Sequence, residues 1–258
     1  MEGTDFLLEI DGLSVSFGGL KALEDYRLRL KPSSILGIIG PNGAGKTTLF
    51  NIITGFIKPD SGRIVFDGTD ITHREPHWIA RSGIARSFQN ICLFGRLSVL
   101  DNVVTACQIH RSVSLLSTLL KTPSFRQNET ALRDRAMELL SFFGLDDQAD
   151  RRAMNLAYGD QRRLEIARAL ATSPKLLMID EPAAGMNPKE TQDLLSLILK
   201  LKDEFDLTII LIEHNMSLVM PLCETLQVLN YGRLVAEGTP AEIQENPEVI
   251  DAYLGNRT

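Results

Sequence analysis

Gly40-Pro41-Asn42-Gly43-Ala44-Gly45-Lys46-Thr47 fits the spacing GxxxxGK[ST], a pattern suited to gripping phosphate. Its glycines let successive backbone N–H groups turn inward around phosphate oxygens, and a helix starting at the lysine adds the positive end of its dipole. Lys46 supplies a point charge for the outer phosphates, and Thr47 a hydroxyl able to ligate Mg²⁺. Such a loop needs a carboxylate on a neighbouring strand, and Leu176-Leu177-Met178-Ile179-Asp180-Glu181 ends an apolar run on two acids. Asp180 is the metal-side candidate. Glu181, one residue on, is placed to polarise a water in line with the terminal phosphate, so the pattern predicts hydrolysis and not binding alone. The lesser reading of the two acids is the acidic N-cap region of a following helix. His214 follows the apolar run 209–212, about one βα unit beyond Asp180. A histidine there is either structural or stands at the carboxyl end of a parallel strand, where ligands collect.

These residues need a buried parallel sheet to hold them, and the chain punctuates as one. Ile35-Leu36-Gly37-Ile38-Ile39 is apolar on both faces, as a central strand should be, and leads straight into the glycine loop. The runs 175–179 and 207–212 are similar, each followed by a helix, so they read as βα units. Alternation at Leu8, Ile10, Leu13, Val15 and Phe17, and again over 26–30, predicts an antiparallel sheet half open to solvent. Pro59-Asp60-Ser61-Gly62 and Asp67-Gly68 bracket a further short strand at Ile64-Val65-Phe66. Between 98 and 155 the texture turns helical, over 100–107 and 131–143, with Gly144 as the cap of the second helix. A hairpin over 225–237, turning at Asn230-Tyr231-Gly232, and a short helical tail over 239–255 close the chain.

The composition narrows the classes. At 258 residues, with 44% hydrophobic and 23% charged side chains, the chain has globular proportions and enough length for a sizeable core. Twenty-seven basic against 33 acidic residues give a net charge of −6 and leave no basic field to collect nucleic acid or anionic lipid. No apolar run approaches the roughly 20 residues that span a bilayer, and Met1-Glu2-Gly3 does not open a signal peptide, so a cytoplasmic protein is expected. Cys92, Cys107 and Cys223 are odd in number and lack CxxC spacing, which points to reduced packing residues.

Further motifs stand in order around this frame: Ser87-Phe88-Gln89-Asn90, then Leu156-Ala157-Tyr158-Gly159-Asp160 with its continuation 161–168, then Asn187-Pro188. With them the chain resembles the ATP-binding subunit of an ABC transporter across nearly its whole length. The resemblance implies an α/β fold: a P-loop NTPase (RecA-like) core and N-terminal antiparallel β subdomain over 1–97 and 156–258, with an inserted helical subdomain over 98–155. It implies ATP and Mg²⁺ as cofactors, held by Gly40, Pro41, Asn42, Gly43, Ala44, Gly45, Lys46, Thr47 and Thr48, with Phe17 stacked on adenine. Thr47, Gln89 and Asp180 take the metal side, and Glu181, His214 and Gln89 the catalytic roles. Ala157, Tyr158, Gly159 and Asp160 occupy the place of the LSGGQ signature, which completes a partner's nucleotide site across a dimer.

That segment departs from LSGGQ at three positions. Ala157 removes a hydroxyl, Tyr158 replaces a glycine, and Asp160 replaces a glutamine. An acid near phosphate must be turned away or paired, with Arg162 or Arg163 at hand. On apolar spacing alone the segment is also an amphipathic helix burying Leu164, Ala167, Ala169 and Leu170, just as Phe17 also continues the core alternation from Val15.

Ala157-Tyr158-Gly159, the run 181–188 and the ending 247–255 are similar to the branched-chain amino-acid importers, and the long lobe over 99–129 to the larger of their two ATPase subunits. The implied partners are a second copy or a homologous ATPase subunit, and permease subunits that would hold the chain at the inner face of the membrane. Nucleic acid is not expected. Phe88, Ile91, Cys92, Leu93, Phe94 and Leu97 form a segment richer in apolar side chains than a surface connection needs, suited to docking a permease helix, with half of them expected in the lobe's own core. The competing reading is a soluble ABC-type ATPase acting on nucleic acid or the ribosome. A third, a P-loop kinase or switch GTPase, leaves 157–168 without a role.

Overall fold

The computed structural model describes residues 5–87, 91–110 and 123–254. The chain forms two compact units, one of residues up to Arg86 together with those from Lys175 onward, the other Ser87–Pro174.

The first unit holds two sheets. Strands β1 (Leu8–Phe17), β2 (Leu20–Leu30), β4 (Ser61–Phe66) and β5 (Thr69–Asp70) form an antiparallel sheet in the order β2-β1-β4-β5. Inward and outward residues alternate along β1 and β2, as the sequence led us to expect. The second sheet runs β10-β9-β3-β8-β7-β6, built from β3 (Ile35–Ile39), β6 (Ile84–Arg86), β7 (Leu176–Asp180), β8 (Thr208–Ile212), β9 (Thr225–Asn230) and β10 (Arg233–Gly238). All its pairings are parallel except the β9–β10 hairpin. Every residue of β3, β7 and β8 is buried, which is why those segments read as unbroken apolar runs.

One core joins the two sheets around helix α1 (Lys46–Ile53), with Leu49, Phe50, Ile52 and Ile53 packed among Leu8, Leu13 and Tyr26 from one sheet and Ile38, Met178 and Ile210 from the other. The buried Tyr26 hydroxyl donates to Gln227 Oε1, and Gln227 Nε2 donates to Glu237 Oε2 at 2.8 Å, so the buried polar side chains that link β2 to β9 are paired. Helix α2 (Pro76–Ser82) precedes β6, while α6 (Pro188–Phe205), α7 (Met216–Leu222), α8 (Pro240–Glu245) and α9 (Pro247–Leu254) follow strands of the same unit. Asn187 caps α6 by accepting from the N–H groups of Lys189 and Glu190, with Glu190 closing the capping box.

The second unit is helical: α3 (Val99–Cys107), α4 (Pro123–Phe142) and α5 (Tyr158–Leu170), with single turns at Asp146–Gln148 and Ala153–Asn155. Ser98 caps α3 by accepting from the Asp101 N–H. Gly144, at φ 66°, ends α4 in the expected way: its neighbour Leu145 donates back to the Leu140 carbonyl at 2.8 Å, a Schellman closure. The unit is wider than the lobe expected over 98–155. Helix α5 packs against α3 and α4 and buries Leu164, Ala167, Ala169 and Leu170, so the segment after 155 stays with the helices.

Two smaller expectations change. Of the three cysteines only Cys223 is a buried packing residue; Cys92 is exposed and Cys107 half-buried, all as free thiols. Within the apolar segment before α3, none of Ile91, Cys92, Leu93, Phe94 or Leu97 is fully buried, and Phe88 lies outside the described residues. Among the described residues no helix is long and apolar enough to cross a membrane.

Candidate functional site

The glycine loop sits where strand, helix and hairpin leave it no slack. A Cβ on Gly40, whose φ is 148°, would lie 2.0 Å from the Leu229 carbonyl oxygen. One on Gly45, the left-handed N-cap of α1 at φ 104°, would lie 2.5 Å from the Ala22 carbonyl oxygen. The hairpin turn braces the loop from outside, with the Gly232 N–H donating to Ala44 O at 2.9 Å and the Glu24 N–H to Gly232 O at 2.8 Å. The loop's shape is therefore fixed before any ligand arrives, and it opens onto first-turn N–H groups of α1 that have no intrahelical acceptor. Thr47 is exposed on that first turn and Thr48 half-buried beside it.

Lys46 is buried, and its ammonium donates to the carbonyls of Gly40 at 2.7 Å and Pro41 at 3.0 Å. Two of its three protons are held by the loop. Burial lowers the Lys46 pKa, while the charges of Glu181 and Asp180 oppose that shift. Asp180 shows the mirror image. Burial raises its pKa, and a hydrogen bond and the charge of Arg86, together with Lys46, pull it back. Both shifts describe one dry electrostatic cluster at the carboxyl edge of the parallel sheet.

Glu181 carries the chain over that edge in a conformation few side chains accept, with φ 44°. Its N–H donates to the Ile212 carbonyl at 2.9 Å, continuing the β7–β8 ladder by one bond, and its carboxylate lies 3.8 Å from His214 Nδ1. Backbone strain of this kind clusters at functional positions. The structure thus brings Lys46, Asp180, Glu181 and His214 together, as their spacing suggested. Phe17 is 48% exposed at the end of β1, so its ring does not continue the core, and among the described residues no ring contact or hydrogen bond ties it to Lys46. Gln89 lies outside the described residues.

Two charged residues of this edge escaped the sequence reading. Glu213, almost fully buried, accepts from three backbone N–H groups: Ala183 at 3.0 Å, His214 at 2.9 Å and Asn215 at 3.0 Å. One carboxylate therefore fixes both the loop after β7 and the turn that presents His214. Arg86 forms a buried ion pair with Asp180 at 2.8 Å. The available signal was a charge at the carboxyl end of an otherwise apolar strand, which costs too much to bury without a partner.

In the helical unit, Ala157 is the N-cap of α5, with Tyr158, Gly159 and Asp160 in its first turn. A Cβ on Gly159 would meet nothing within 4 Å, so the backbone there is open to approach. Asp160 is paired: Gln148 Nε2 donates to its Oδ2 at 3.2 Å, and Arg163 lies 3.9 Å from its Oδ1. Arg162 turns inward instead, to a buried ion pair with Glu165 at 3.1 Å.

Comparison with known proteins decides the family. The ABC transporter family profile matches residues 23–184, and that of the branched-chain amino acid ATP-binding cassette transporters matches 233–257. The chain belongs to the ABC transporter ATP-binding family. It is 49% identical over 249 residues to the high-affinity branched-chain amino acid transport ATP-binding protein LivG of Escherichia coli, covering 96% of this chain and 98% of that one. The figure is 47%, with the same coverage, for BraF of Pseudomonas aeruginosa. A crystal structure of the ADP conformation of MJ1267, an ATP-binding cassette of an ABC transporter, superposes with a TM-score of 0.84 at 34% identity, covering 98% of this chain and all of that one.

As a cassette, the chain has the donor set that Mg²⁺ prefers. Thr47 and Asp180 offer hard oxygens, and among the described residues no cluster of three or more His, Cys, Asp or Glu stands ready to cage a metal. Proteins that bind Mg²⁺ with a nucleotide commonly supply one or two oxygens, phosphates and water completing the shell.

Replacing Glu213 by glutamine tests the bracing of the His214 turn. The amide loses one charged acceptor among three N–H donors, so we expect about 2 kcal/mol less stability in urea denaturation. A loss below about 0.5 kcal/mol would return Glu213 to the ordinary range of surface substitutions.

Proposed function

We propose that this cassette binds ATP with Mg²⁺, hydrolyses it, and powers a membrane importer for branched-chain amino acids. The observation that carries the reading is the meeting of Lys46, Asp180, Glu181 and His214 at one sheet edge, beside a loop already shaped for phosphate. Lys46 and the first-turn N–H groups of α1 hold the outer phosphates. Thr47 and Asp180 would hold Mg²⁺, which would supply Lewis-acid stabilisation of charge on the phosphate oxygens. Glu181 accepts the proton of a water attacking the terminal phosphorus, and the bond to the leaving diphosphate breaks in line. His214 would steady Glu181 and the terminal phosphate and Phe17 would stack on adenine, while Gln89 keeps the metal and water role that the resemblance implies. Residues 157–160 serve the nucleotide of a partner, a second copy or a homologous subunit. A role on nucleic acid or the ribosome draws no support from a net charge of −6 or from the relatives' names.

The membrane partner would dock on the helical unit. Phe94 is 51%, Leu97 40% and Met154 59% exposed, and the chain segments join directly, with Met154 N–H donating to Gly95 O at 3.1 Å and Ala153 N–H to Leu97 O at 3.0 Å. Exposed apolar side chains gathered in this way support such a docking surface, and a permease seated on it would keep the cassette at the inner face of the membrane.

Glu181→Gln should keep ATP binding and lower phosphate release at least about a hundredfold, the loss expected of a general base. Release within threefold of the parent would remove Glu181 from that role. Lys46→Ala should instead weaken equilibrium binding of a fluorescent ATP analogue. In that titration Phe17→Ala should cost about tenfold, the value of one stacked base, and an unchanged affinity would separate Phe17 from the nucleotide. For the docking surface, Phe94→Ala with Leu97→Ala should leave ATP binding and the thermal midpoint of the isolated subunit intact while releasing the permease or uncoupling transport. A midpoint lowered by several degrees with the permease still bound would make these residues core instead.

A further inference from the structure

Arg86 ends β6, where its side chain is 6% exposed and that of its partner Asp180 4%. A permanent charge so deeply placed needs charged and polar partners. Among the described residues, three contacts within the first unit engage it. Nη2 donates to Asp180 Oδ2 at 2.8 Å, Nη1 donates to Asn51 Oδ1 at 2.6 Å, and Cζ lies 5.3 Å from the centre of the Phe50 ring. Phe50 and Asn51 belong to α1, the helix that the phosphate loop opens, and Asp180 ends β7. The planar guanidinium is thus a tie between the helix that holds phosphate and the carboxylate on the metal side. With Nη1 held by Asn51, the guanidinium presents Nη2 to Asp180 from a fixed direction, as an ammonium on a flexible stem would not. It occupies Oδ2, and among the described residues no hydrogen bond engages Oδ1.

We propose that Arg86 is a positioning residue for the divalent cation: by holding Asp180 Oδ2 while anchored on Asn51, it sets the orientation of the Asp180 carboxylate, and hence the affinity for metal, without setting the affinity for nucleotide. The inference rests on Asp180 being the metal-side acid. A salt bridge that served only stability would put its whole effect into folding. A residue that orients a ligand of the metal puts its effect into metal affinity, commonly by about 10- to 100-fold.

The test is a Mn²⁺ titration, followed by electron paramagnetic resonance, of the full chain saturated with ADP, so that no turnover intervenes. Arg86→Gln should weaken Mn²⁺ binding at least about tenfold, with ADP affinity in EDTA within about twofold of the parent. Arg86→Lys should recover only part of that loss, because the ammonium reaches one partner at a time. Asn51→Ala, which leaves the buried pair in place, should move Mn²⁺ affinity in the same direction by a smaller factor, and it carries the test if Arg86→Gln does not fold. Parent-like Mn²⁺ affinity in Arg86→Lys and Asn51→Ala, with a lowered thermal midpoint, would make Arg86 structural and overturn the proposal. Asp180→Asn separates the two levels. If it weakens Mn²⁺ binding while the Arg86 and Asn51 variants do not, the positioning role alone fails; if it too keeps parent affinity, the assignment of Asp180 fails and the proposal with it.

Discussion

Charges of opposite sign share the dry carboxyl edge of one parallel sheet, and each depends on the others for its presence there. Lys46 and Asp180 are both buried, and burial pushes each toward its neutral form. What resists is their mutual field, with Glu181 acting on Lys46 and Arg86 acting on Asp180. Breaking one member of such a group strands a charge, at a cost usually well above the net worth of the pair. The same balance suits the ligand. A polyphosphate and a divalent cation bring charges of both signs, so together they can enter an edge already divided between an ammonium and carboxylates.

The backbone meets the same constraint by other means. Gly40 and Gly45 allow the loop to lie against carbonyl oxygens at distances that forbid a side chain, while the β9–β10 turn is bonded to Ala44 from outside. Glu213 then pins the loop after β7 and the turn at His214 through three N–H groups. Such preorganised donors and acceptors need little rearrangement when charge develops in a reaction.

Much of this was legible in the sequence because it is local. Unbroken apolar runs betrayed β3, β7 and β8, the GxxxxGK[ST] spacing placed the loop, and Asn230-Tyr231-Gly232 marked the hairpin turn. What escaped is long-range. Arg86 and Asp180 are 94 residues apart, and nothing in either neighbourhood names the other. The lobe boundary moved because α5 packs on α3 and α4, which periodicity within α5 does not reveal. Asp160 is an instructive middle case. Its pairing with Arg163 follows from helical geometry, since residues three apart share a face and residues two apart do not, so that Arg162 is free to turn inward to Glu165.

Hydrogen–deuterium exchange of the full chain, with and without saturating MgADP, bears most directly on the central claim that this edge is the nucleotide site. Amides of residues 43–48 should slow by at least about tenfold on binding, with weaker protection around Asp180 and Glu181. Bound nucleotide that leaves 43–48 exchanging at the free rate would contradict the account.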